Sequence, residues 1–201
     1  MVLLRYIALL ITFFAGVLFV VRILRFKQNL APFLVLTVDT ILIYIFSLAN
    51  LLKPGVYVAC ISNIILGIFA IIDWIKHKEK KIEVFTPAII AWITVFALLI
   101  FYNYGTLFFE WDEFSYWGPF YKYLMLTNHL PTDIRLFLNI NYPPFTGLIQ
   151  YLTGQFLGPH ESNAYFGQML YEFSILLAIF PEKKMGGQKY FLALAASALS
   201  I

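Results

Sequence analysis

Long stretches of this chain are almost free of charge, and that constrains it more than any other feature. A helix that crosses a bilayer needs about 20 mostly apolar residues, with a range of about 17–25. Five stretches meet this: Leu3–Ile23, Ala31–Leu52, Val56–Trp74, Val84–Phe109 and Ala164–Phe180. A sixth starts near Tyr190 and reaches Ile201 after twelve residues, about 18 Å of helix against a hydrocarbon core of about 30 Å. A soluble domain and a disordered chain are both excluded, because 61% of the residues are hydrophobic and only 12% charged, about half the usual charged share. The first stretch is too long for the apolar region of a signal peptide. Arg22 and Arg25 also stand where a cleavage site would need small residues. The fold class expected is an all-α polytopic membrane protein with about five transmembrane helices, a truncated sixth, and two interfacial helices in an outer loop.

Orientation follows from Lys and Arg, which collect on the cytoplasmic side. If the chain zigzags, ten of the fourteen fall on one side, after the first, third and fifth stretches; Arg5, Lys53, Lys122 and Arg135 fall on the other. The N-terminus and the segment Gly105–Asn163 are then extracytoplasmic, in the plasma membrane of what composition suggests is a bacterium. That segment is the one long loop, at 59 residues, and loops longer than about 12–15 residues are usually functional or disordered. It is too aromatic to be disordered, so function is sought there. The single Cys60 rules out an internal disulfide framework, and the net charge of +3 gives no argument for nucleic acid.

Within the loop, Trp111, Phe114, Tyr116, Trp117, Phe120, Tyr121 and Tyr123 suit a helix from Glu113 to Thr127 at headgroup level. A second short helix is expected from Pro143 or Pro144 to about Phe156, since Pro is tolerated in a first turn. Glu110, Asp112 and Glu113 form an acidic cluster where the fourth span ends. Adjacent helical residues diverge by about 100°, so one of Asp112 and Glu113 is placed to react while the other orients it. Acid–base work on a hydroxyl suits such a carboxylate. An N-cap role for Asp112 is equally compatible with its position.

The run Trp111-Asp112-Glu113-Phe114-Ser115-Tyr116-Trp117, with Met125, Pro131 and then Tyr142-Pro143-Pro144, resembles the first outer loop of the GT-C glycosyltransferases. These include the protein O-mannosyltransferases and the aminoarabinose-to-lipid-A transferases. The resemblance covers about Val84–Pro181. It implies transfer of a sugar from a polyprenyl-phosphate donor to a lipid, glycan or protein acceptor on the outer face of the membrane. By position it gives Asp112 the role of base or acceptor-orienting carboxylate, with Glu113 as its partner. Some such enzymes use a divalent metal ion, for which Asp112 would be the ligand here. Where several relatives carry a basic residue or His before the Pro-Pro step, this chain has Asn141-Tyr142.

A leaving phosphate wants cations near it. Lys122 and Arg135 are the loop's candidates, with Tyr116 and Tyr142 as further substrate contacts; Lys122 can equally snorkel to water. The chain divides into residues 1–83, an N-terminal three-helix extension, and 84–201, the start of a GT-C-like module that continues beyond it. The alternative function is a non-enzymatic transporter or scaffold. Two acids lie inside spans, where they are costly: Asp39 is expected to pair with Arg22, and Glu172 to face a cavity. His129 and His160 lack metal-pair spacing.

Overall fold

The computed structural model describes residues 2–77, 84–109, 111, 113–131 and 144–179. Among these every regular element is helical. Helices α1 (Val2–Arg22), α2 (Ala31–Leu48) and α3 (Leu52–Lys76) are each long and apolar enough to cross a membrane. Then come α4 (Pro87–Tyr102), a π-helical turn (Glu113–Trp117), α5 (Gly118–Thr127), α6 (Phe145–Leu157) and α7 (Glu161–Ile179). The start of the sixth stretch lies outside the described residues.

Helix α4 is apolar but has 16 residues, shorter than the stretch Val84–Phe109 suggested. Pro87 stands at its first position, where a missing N–H costs nothing. At the other end Asn103 leaves helical geometry and Gly105 takes a positive φ of 73°, open to glycine and strained for other residues. The residues that follow are aromatic and exposed: Tyr104, Phe109 and Trp111 are all more than 65% accessible, as suits the headgroup level.

Helices α1 and α3 meet at small residues. A Cβ added to Gly67 would lie 2.5 Å from the Ala15 Cβ and 2.9 Å from its Cα. Gly16 meets the Asn63 side chain in the same way. Such small pairs let helix backbones approach closely where lipid gives no hydrophobic drive. One continuous core then draws residues from α1 (Leu9, Phe13), α2 (Leu36, Ile43), α4 (Trp92, Phe96), α6 (Tyr151, Leu152) and α7 (Phe166, Leu170).

Two expectations are corrected. Arg22 does not pair with Asp39. Its Nε donates to Asp73 Oδ2 at 2.9 Å and its Nη2 to the His77 carbonyl at 3.0 Å. The reason is depth: Asp39 is eight residues into α2, about 12 Å along its axis, whereas Arg22 and Asp73 both sit where their helices end. Asp39 instead accepts a 2.7 Å bond from Asn63 Nδ2.

The second correction concerns α6, which does not lie across the end of the bundle. It runs antiparallel to α7: Phe145 packs on Tyr171, Gln150 bonds Gln168, and Thr153 bonds the Asn163 carbonyl. Tyr171 is ten residues along α7 from Glu161, about 15 Å, so α6 rises from mid-depth to the bundle's end. Its sequence FTGLIQYLTGQFL buries nine of its residues, on all sides of the helix, more than a one-sided interfacial helix would.

Candidate functional site

Helix α5 docks at the end of the bundle where α6 meets the first turn of α7. Helix α5 packs against α6: Phe120 stands over Gly147, and Tyr121 and Met125 over Gly154. Both glycines are where a Cβ would collide with these side chains, so close approach explains their presence. Asn128, which ends α5 in the left-handed region at φ 56°, accepts bonds from the Tyr151 hydroxyl at 2.6 Å and from Gln155 Nε2 at 3.1 Å. Asn is among the few residues that adopt this conformation readily.

The turn between α6 and α7 is held by four side chains. Arg5 Nη1 donates to the Leu157 carbonyl at 3.1 Å, and the buried Tyr6 hydroxyl donates to Asn163 Oδ1 at 2.7 Å. Asn163 Nδ2 reaches the Gly158 carbonyl, and the Tyr121 hydroxyl the His160 carbonyl. Burial raises the Tyr121 hydroxyl well above the ordinary tyrosine range, and the nearby Glu161 carboxylate adds to this, so Tyr121 is a hydrogen-bond donor rather than a base.

Glu161 gathers the strand of chain leaving α4. It accepts the Phe108 N–H at 2.6 Å and a 2.6 Å ion pair from Lys122. Burial pushes its carboxyl up, but the hydrogen bonds from Lys122 and Phe108 and the Lys122 charge outweigh this and hold it below the ordinary range. The Lys122 Nζ also sits 5.8 Å from the Phe108 ring centre, a cation–π distance.

Of the residues singled out from sequence, Lys122 is thus engaged with Glu161 while its side chain stays 56% exposed. Tyr116 is buried, with its ring on Trp117 and Phe120. The backbone of Glu113 opens the π-helical turn, an element frequent at functional sites. Asp112, Arg135 and Tyr142 lie outside the described residues, and the metal expectation at Asp112 lies there with them. Among the described residues no group of three or more His, Cys, Asp or Glu side chains is gathered as a metal site.

Glu172 stands in a polar chain that sequence reading missed. Gln150 Nε2 donates to Gln168 Oε1 at 2.9 Å, and Gln168 Nε2 donates to Glu172 Oε1 at 3.0 Å. Gln150 is 1% exposed, and among the described residues its Oε1 accepts no hydrogen bond. Beside this chain the Tyr171 hydroxyl meets Thr37 Oγ1 at 3.2 Å. The signal for it lay in Gln150 and Gln168 themselves, two amides with apolar neighbours, and the signal for Glu161 in its place in a first helical turn, where carboxylates are favoured.

No protein-family model matches the chain, and neither a curated protein nor a solved structure matches it.

Proposed function

We propose that the chain is part of an integral membrane glycosyltransferase that moves a sugar from a polyprenyl-phosphate donor to an acceptor hydroxyl on the extracytoplasmic face. One observation carries the reading. An acidic motif at Glu110–Glu113 follows an apolar helix and is itself followed by two short helices, α5 and α6, packed on one another. That is the order in which the resembling glycosyltransferases present their reactive loop. In this reading α4 and α7 also cross the membrane, and the Lys and Arg distribution sets the loop outside.

The chemistry is a substitution at the anomeric carbon. The acceptor oxygen forms a bond to that carbon as its bond to the phosphate oxygen breaks. The acceptor proton passes to the carboxylate, and the polyprenyl phosphate leaves as an anion. Asp112 is the base, and Glu113 orients it or shares its proton. Cations beside the departing phosphate lower the barrier. Arg135 is assigned that task, since the charge of Lys122 is already matched by Glu161. A divalent ion bound at Asp112 would supply the same charge stabilisation.

Asp112→Asn in the full-length protein is expected to abolish sugar transfer while leaving expression unchanged; product at the wild-type level overturns the reading. A reporter fused at Pro131 is expected outside, and a cytoplasmic signal overturns the topology. A transporter reading draws on Gln150 and Glu172 within the helices, since transporters hold polar sites near mid-membrane. Sugar flux without a covalent product would favour it.

A further inference from the structure

Three buried side-chain atoms lack a hydrogen-bond partner among the described residues: Thr86 Oγ1, Asn103 Oδ1 and Gln150 Oε1. The first two flank α4 as its end residues. Gln150 is different. It sits inside α6, 1% exposed, at the head of the chain that ends on Glu172.

The direction of that chain decides what it can bind. Each amide spends one N–H on the next residue: Gln150 on Gln168, and Gln168 on Glu172. Its two ends offer acceptors, the Gln150 carbonyl at one and the Glu172 carboxyl at the other, and each amide carries a second N–H besides. An unsatisfied buried acceptor costs about 1–3 kcal/mol, so it is kept for a reason. Only a ligand that donates hydrogen bonds satisfies both ends. The rings of Phe145 and Phe33 pack 5.0 and 5.8 Å from that of Tyr171, an aromatic cluster where α6 begins.

We infer that Gln150 and Glu172 bind the hydroxyl groups of the donor sugar, and so select the sugar-bearing lipid over the bare polyprenyl phosphate. This rests on the glycosyltransferase reading and extends it: Asp112 and Arg135 serve the reacting bond, and the α6–α7 hairpin reads the sugar. Gln168 touches no ligand and is a positioning residue.

The test uses the full-length protein in lipid nanodiscs and two probes, a polyprenyl-phosphate hexose and the same polyprenyl phosphate without sugar. Wild type is expected to bind the sugar-bearing lipid more tightly. Gln150→Leu is expected to weaken that binding by about tenfold or more, as the loss of a buried hydrogen bond implies, and to leave the bare lipid unaffected. Gln150→Leu removes one unsatisfied acceptor but also the donor to Gln168 Oε1, so the unliganded Tm is expected to change little. Glu172→Gln, which keeps the shape of the side chain, is expected to give the same selective loss. Equal weakening of both lipids, or no weakening by either variant, overturns the inference while sparing the glycosyltransferase reading. Wild-type protein that binds neither lipid overturns both.

Discussion

Lys122 and Glu161 are 39 positions apart in the chain and 2.6 Å apart in space. With the Phe108 N–H on the same carboxylate, they fasten three segments together: the exit of α4, the middle of α5 and the first turn of α7. Acid should undo this. The Glu161 carboxyl is held below its ordinary value, so the folded state binds fewer protons there than the unfolded one. Its contribution is complete above the unfolded value and disappears as pH falls through the folded one. Wild-type Tm is expected to drop more steeply on acidification than that of Glu161→Gln. Parallel Tm curves would count against it. At neutral pH, Glu161→Gln should cost about 1–2 kcal/mol, mostly through the buried side of the carboxylate, and Lys122→Ala under about 1 kcal/mol because Lys122 is largely exposed.

Arg22 should be the most sensitive of the described charges. It is 1% exposed and its guanidinium serves both the Asp73 carboxylate and the last carbonyls of α3. Removing Arg22 leaves the Asp73 carboxylate with His77 alone, takes a donor from the Asp73 and His77 carbonyls, and empties a fully packed position. Arg22→Ala is expected to lower the Tm sharply in detergent, and Arg22→Lys to recover part of it, since an ammonium cannot reproduce the planar fork. A wild-type Tm for Arg22→Ala would show that the pair contributes nothing.

Gly67→Ala should part α1 from α3. The added methyl meets Ala15 backbone atoms at 2.9 and 3.1 Å, and backbone cannot swing aside. Overpacking of this kind costs about 1–3 kcal/mol. Gly105→Ala meets open space and carries only the strain of its positive φ, about 1–2 kcal/mol. Thermal unfolding of the two variants side by side checks the order; a larger fall for Gly105→Ala would reverse it.

Tyr6→Phe deletes one hydroxyl, yet its effect should appear at the far end of the chain. Asn163 Oδ1 loses its 2.7 Å donor in a buried setting, a loss of about 1–2 kcal/mol. Amide exchange is expected to quicken across residues 158–163, while the middle of α3 exchanges as before. Unchanged exchange in that turn would show that Tyr6 does not hold it.

The helices were legible where the pattern is coarse. Apolar runs located α1, α2, α3 and α7 to within a few residues, because length against bilayer thickness is a strong constraint. Pro144 and Gly158 bracketed α6 well. The direction of α6 was not legible. FTGLIQYLTGQFL has enough apolar and polar positions for an interfacial helix, and only Gly147 and Gly154 hinted at neighbours on several sides. The Arg22 partner was misread because Asp39 was put at the depth of Arg22, whereas it stands eight residues into α2. Lys122 gave no sequence signal for Glu161, since a pair 39 residues apart leaves no local spacing to read.

The α6–α7 hairpin carries a consequence for how such a chain is made. Gln150, Gln168 and Glu172 would partition poorly into lipid as separate helices, and α7 also carries Asn163 and Ser174 in its buried face. In place, Ser174 accepts from Trp92 Nε1, and Asn29, in the loop before α2, donates to the Leu177 and Ala178 carbonyls at the end of α7. These partners are all synthesised earlier. Under the proposed membrane reading, α1, α2 and α3, which are apolar enough to cross, enter the bilayer first and offer α7 the polar partners it needs.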